Sequence, residues 1–331
     1  MNQSYTLPPA LLPDSKSKLS EQAKIEIREL HGAQPASFLT QAFRAWTWII
    51  AAIALAIYAN NIWATLIAII FIATRFNVFI VLIHEQAHCV GLKGKYGNLI
   101  VNLLVGYPLL FSMFSTVENY AAMHSEHHKN YFTDKDPDFL RKSGVDWTFP
   151  MTSFHIIKLL LRDLFGFTSI QLILGKPMQN QSTVNRPCNY PKWIKFVYYI
   201  AIAALLTYTN MWSVFFIYWL VPLLTVFPAI VRFGAITEHV YNLPEADMIE
   251  SSPLIVLNWW EQLLLPELNF TFHPYHHLYP GIACFNLPKV HQIFEQEQLV
   301  NKTNVFYGYW SYFKYLQKHS VKNTLVEQTE S

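Results

Sequence analysis

Histidine dominates the chemistry available to this chain. His84-Glu85-Gln86-Ala87-His88, His124-Ser125-Glu126-His127-His128 and His273-Pro274-Tyr275-His276-His277 hold eight of its thirteen histidines. Residues three and four apart share a helix face, so each cluster predicts a one-sided comb of imidazoles aimed at one point. Pro274 suits the first turn of a helix, which puts His273 at the cap and His276 and His277 inside. A ninth candidate, His239 in Thr-Glu-His-Val, stands where a long apolar run ends. Convergent imidazoles point to metal, and nine exceed what one tetrahedral ion can use. Two metals share them more naturally, with positions left open for an exogenous ligand. Nitrogen donors suit zinc, copper, nickel or iron alike, so the ligand type alone does not choose among them.

The elements that must position these residues are membrane helices. The chain has 331 residues, 52% of them hydrophobic and 14% charged, against roughly 25% charged in a soluble domain. The net charge of +2 and the lack of a basic block argue against nucleic acid. Cys89, Cys188 and Cys284 are too scattered for a disulfide framework or a Cys-x-x-Cys site. No apolar core follows a basic start in the first thirty residues, so no cleavable signal peptide is expected.

Residues 46–83 carry one charge, Arg75, and would make a straight helix of about 57 Å against a hydrocarbon core of about 30 Å. The chain must turn back, and Asn60-Asn61 is the polar break. Arg75 is expected to snorkel at the interface. Residues 196–231 lack charge and are again nearly twice as long as the core is thick, with Asn210 as the turn and Pro222 and Pro228 as bends. The expected fold is all-α and integral to the membrane. Four transmembrane helices, at about 46–61, 62–83, 194–209 and 211–236, form two hairpins beneath a cytosolic helical cap that carries the histidine boxes. Residues 1–37 form a polar cytosolic arm, 38–319 one membrane domain and 320–331 a polar tail. Lys93, Lys95, Lys129, Lys135, Arg141, Lys142 and further basic residues to Lys195 lie between the hairpins, whereas the turns have none. The positive-inside rule then puts the histidines on the cytoplasmic face. Leu99–Val117 is uncharged too, but Asn102, Gly106, Pro108, Ser112 and Ser115 suit it to the interface or to burial against the bundle. If it crossed, the first two boxes could not share a site.

A metal site at the end of a membrane bundle can receive a lipid tail, and oxidising an unactivated C–H bond calls for iron and dioxygen rather than a Lewis-acid zinc. The sequence resembles the membrane fatty acid desaturase and hydroxylase superfamily. The resemblance rests on His-x-x-x-His at 84–88, His-x-x-His-His at 124–128 followed by Asp136-Pro137-Asp138, and His-x-x-His-His-Leu-Tyr-Pro at 273–280, and it covers about 45–295. It implies a non-haem di-iron centre held by His84, His88, His124, His127, His128, His239, His273, His276 and His277. It also implies O2 as co-substrate, a lipid or acyl chain as substrate, and desaturation, with hydroxylation or ketone formation as the alternative. No His-Pro-Gly-Gly haem motif occurs, so electrons are expected from an external ferredoxin or cytochrome b5-type protein.

Other readings compete. His84–His88 is a full His-Glu-x-x-His zinc-protease signature with Glu85 as general base, but that leaves the two later boxes idle. A metal transporter or haem-binding membrane protein would place ionisable residues within the spans, and 46–74 and 196–231 contain none. His31, His155, His291 and His319 stand apart from the boxes and are expected to be structural or solvated. Glu85 and Glu126 could hold ligand imidazoles, as could Asp136 and Asp138, although Asp136-Pro137-Asp138 could equally be an ordinary turn. Trp259–Leu265 is expected to be an amphipathic helix at the membrane surface.

Overall fold

The charge-free runs fold as helices that break at the asparagines. The computed structural model describes residues 7–110, 116–149, 151–174, 188–242 and 244–317. After a short helix α1 (Glu21–Glu29), α2 (Pro35–Ala59) starts on a proline and ends at Asn60, whose φ of 47° is the left-handed conformation that stops a helix. The Asn61 side chain then accepts the Ala64 N–H and caps α3 (Ile62–Ala87). Small residues let the two helices approach closely: Ala42, Ala45, Ile49 and Ala56 of α2 share one core with Ala68, Ile72, Ala73, Phe76 and Phe79 of α3. The C-terminal half of α3 is covered on nearly every side, which makes it the axis on which the first box rides.

Among the described residues three helices are long and apolar enough to cross a membrane: α2, α3 and, after the short helices named below, α9 (Trp212–Glu238). Beyond α3 come α4 (Gly97–Gly106) and α5 (Val117–Lys129), then α6 (Ser153–Leu164) and α7 (Phe167–Leu174), then α8 (Ile194–Tyr208). The third expected span is thus a helix of 15 residues, about 22 Å and short of the hydrocarbon core. Its turn into α9 falls at Asn210, with φ 55°. α9 is interrupted as the two prolines require. It carries a π turn at Phe216–Leu220 ahead of Pro222 and a break at Thr225 ahead of Pro228.

The described part of Leu99–Val117, up to Leu110, packs against the bundle. In α4, whose last turn is π, Val101, Asn102, Val105 and Gly106 are buried, and the Trp46 indole of α2 donates to Leu104 O at 2.9 Å. Residues 111–115 lie outside the described ones; the boxes on either side of the segment meet at one place, with His84 Nε2 2.7 Å from His124 Nε2.

Arg75 departs from expectation. It is 4% exposed and, instead of snorkelling, donates to the carbonyls of Leu263 and Leu264 at 2.6 and 2.9 Å. Those carbonyls end α10 (Trp259–Leu264), so a cation closes a helix C-terminus that has no internal donors left. α10 has the expected amphipathic form: Trp259, Trp260, Leu263 and Leu264 face outward while Glu261 is buried and completes a capping box with Asn258. The last box sits on α11 (His273–Leu278), with Pro274 in the first turn. A separate core of Leu11, Ile27, Tyr275, Leu287 and Phe294 ties α11 to the N-terminal segment.

Candidate metal centre

The nine histidines come together as two groups. His84, His88, His124, His128 and His276 form one, and His127, His239 and His277 the other, the nitrogens of each lying within 4.8 Å of one another. His273 joins the second group: its Nε2 is 3.0 Å from that of His239 and 3.1 Å from that of His277. In the first group Nε2 pairs stand at 2.7 Å (His84 and His124), 3.0 Å (His124 and His128) and 3.1 Å (His128 and His276). Each group could hold a metal ion. Nitrogens about 2.1 Å from one ion and at right angles around it stand about 3 Å apart, which is the spacing observed.

The combs expected from the sequence are split. Positions i and i+4 differ by about 40° around a helix, whereas the i+3 residue lies about 60° to the other side. The pairs His84/His88, His124/His128 and His273/His277 therefore each stay together, and the middle histidine of each His-x-x-His-His box crosses to the opposite group. His127 leaves the α5 pair for the second group, and His276 leaves the α11 pair for the first.

The Nδ1 side of the rings shows how they are aimed. Asp136 takes His127 Nδ1–H at 2.9 Å while also accepting from the backbone N–H groups of Phe132, Asp138 and Phe139, so it is both imidazole holder and turn residue. His239 Nδ1 lies 2.7 Å from Ser252 Oγ and 3.0 Å from Tyr131 Oη. Such contacts fix the tautomer with Nε2 as a lone pair. Asp138 pairs instead with Arg141, and Glu126 accepts from Asn130 of its own helix end; neither holds an imidazole. Tyr131, Ser252 and Phe270 escaped the sequence reading. Phe270 packs edge-on to His84 and His273, with centroids 4.4 and 4.8 Å away, and so shields both groups from water. Tyr131, four residues beyond His127, carried a faint signal; Ser252 and Phe270 carried none.

Burial, reinforced by neighbouring imidazoles, pushes the pKa values of His124, His239, His273, His276 and His277 well below the usual histidine range, and that of His128 to about 2. Burial thus favours the neutral form of these rings, which is the form that binds metal. The isolated histidines are structural: His31 Nδ1 is 3.0 Å from Ile27 O, His155 pairs with Asp146, and His291 bonds the Tyr275 hydroxyl. His319 lies outside the described residues. None of the three cysteines falls in either group.

Glu85 speaks against the protease reading. One carboxylate oxygen accepts the Cys284 N–H at 2.8 Å, and the other is 3.7 Å from His84 Nδ1, behind the ring whose Nε2 faces the group. A general base would have to stand on the Nε2 side.

Membrane-length helices thus gather buried imidazoles into two adjoining groups, each of which could hold a metal ion. The fatty acid desaturase family model matches residues 60–310, and the chain belongs to that family. It is 25% identical over 282 residues to dihydrorhizobitoxine desaturase of Bradyrhizobium elkanii, a match covering 78% of this chain and 76% of that protein. The protein is an oxidoreductase of desaturase type.

Proposed function

We propose that the two groups hold two non-haem irons, with all nine histidines as ligands, and that the protein introduces a double bond into an acyl or similarly apolar chain. The reaction removes two hydrogens from adjacent carbons and reduces O2 to two waters. It takes two electrons and two protons from outside, the electrons from a ferredoxin or cytochrome b5-type donor. The reading is supported by the convergence of so many Nε2 atoms on two points, neighbours standing 2.7–3.1 Å apart, which is the spacing of nitrogen ligands around one ion. When bound, iron would supply the oxidising power that an unactivated C–H bond requires. The protein's own part is positional. Asp136 orients His127, Ser252 and Tyr131 orient His239, and Phe270 keeps water from both groups.

The same reading takes α2, α3, α8 and α9 as four spans in two hairpins, with the histidines on the cytoplasmic side. It is supported by the turns at Asn60 and Asn210 and by the basic residues between the hairpins. Desaturation is favoured by the name of the Bradyrhizobium relative. Two measurements test the proposal. Purified protein should carry about two irons per chain; one zinc and no iron would sink it. Lipid and metabolite profiles of cells expressing the protein should show a product two hydrogens lighter that is missing with His127→Ala. A product one oxygen heavier would make it a hydroxylase.

A further inference from the structure

α6 and α7 fall in a region that charge assigns to the cytosol, yet they lean on the middle of a membrane-length helix. Pro228 has no N–H, so Leu224 O of α9 lacks its usual helical donor. Ser169 of α7 fills the gap, its hydroxyl donating to Leu224 O at 2.8 Å. Gly166, with φ 77°, brings the chain so near that a Cβ there would stand 3.3 Å from the same oxygen. Leu224 lies about 21 Å along α9 from Glu238, well below the level of the histidines. A carbonyl left open at that depth is costly in hydrocarbon and cheap in water, so this repair suits a buried or lipid setting. Nearer the mouth, Asp163 at the end of α6 takes Arg232 of α9 in two hydrogen bonds, 2.6 and 3.1 Å, with Asp163 fully buried.

The outward surface agrees. Phe154, Ile157, Leu161 and Leu164 form one stripe down α6, and Phe165, Phe167, Ile170, Ile173 and Leu174 continue it through the turn into α7, all of them exposed. Gln171 is the one polar side chain on the exposed face of α7 among the described residues. Along α6, from His155 to the turn into α7, lies a half-open cavity of about 280 Å³ lined by Asp146, His155, Lys158, Arg162, Phe165 and Phe167, with two leucines. Asp146 neutralises Arg162 at 2.9 Å, but Arg162 Nε is buried without a hydrogen-bond partner, and Lys158 has no anionic partner among the described residues. The cavity therefore has donors and a positive charge at one end and rings at the other.

We propose that α6 and α7 form a re-entrant hairpin seated in the bilayer, and that the cavity beside α6 holds, at its Lys158 and Arg162 end, the phosphate of an anionic phospholipid whose tail lies along the stripe. This rests on the reading of α3 and α9 as membrane spans, and the test separates the two. The full chain, with Cys89 and Cys188 changed to serine, is labelled with a fluorophore at Ile170→Cys or, as a span control, at Ile70→Cys of α3. It is reconstituted in vesicles of four parts phosphatidylcholine to one part phosphatidylglycerol. Both labels should be quenched by lipids carrying a mid-chain nitroxide and shielded from iodide. If Ile70→Cys is lipid-quenched and Ile170→Cys is iodide-quenched, the re-entrant hairpin is overturned; if both are open to iodide, the membrane reading falls with it. Lipid retained by detergent-solubilised wild type should be enriched in phosphatidylglycerol, and Lys158→Glu should lower that retention about fivefold or more. Equal retention by wild type and Lys158→Glu would remove the headgroup site.

Discussion

The two histidine groups use one residue type and aim it by different means. In the second group two rings are held from behind by hydrogen bonds, His127 by Asp136 and His239 by Ser252 and Tyr131, while His273 Nδ1 is buried with no partner among the described residues. In the first, His84 Nδ1 is buried with no partner among the described residues, Glu85 stands off at 3.7 Å, and the ring is clamped between Phe270 and Tyr120. Hydrogen bonds fix both direction and tautomer, whereas packing fixes direction alone. The second group should therefore depend on its polar surroundings and the first on its apolar ones.

The largest effects should come from the crossing histidines. His276→Ala should empty the first group and His127→Ala the second, each cutting iron from about two per chain toward one and activity to background. Full activity in the His276→Ala enzyme would break the shared site. Next, Asp136→Asn keeps shape but loses the charge that orients His127, and chelator competition should show metal held about 10–100-fold more weakly. Unchanged retention would mean that the second group is not aimed from behind. Glu85→Gln should cost less than about 10-fold in the same assay, because its carboxylate serves a backbone N–H rather than an imidazole. If that variant instead kept its metal and lost all activity, the protease reading would return.

The last effect falls on stability rather than on metal or activity, as a pH slope. Glu267 precedes Phe270 and accepts no hydrogen bond at Oε1; burial, with Glu238 nearby, raises its pKa from 4.5 to about 8. The folded protein holds a proton that the unfolded chain releases between those values, so this group removes stability as pH rises from about 4.5 to 8. Thermal unfolding of Glu267→Gln should match wild type near pH 5 and gain on it toward pH 8, by on the order of a few kcal/mol. A gap that does not grow with pH would count against a neutral carboxyl behind the first group's packing.

Much of the bundle was legible because hydrocarbon imposes a length. An uncharged run too long for one crossing is expected to bend, and the helices break at the polar residues Asn60-Asn61 and Asn210. Arg75 was misjudged because its partners, the carbonyls of Leu263 and Leu264, lie nearly two hundred residues away. Asp136 was left between two roles, and it performs both.

Sequence alone determined which residues would meet: spacing of three and four marks ligand faces, and the number of imidazoles asks for two sites. Which histidine belongs to which site was decided by tertiary structure. A comb covering about 100° of helix is too wide for one metal, so α5 and α11, wedged between the two sites, each give a pair to one and a single ring to the other. That division depends on where α3 and His239 stand relative to both helices, and such long-range placement leaves no mark in local spacing.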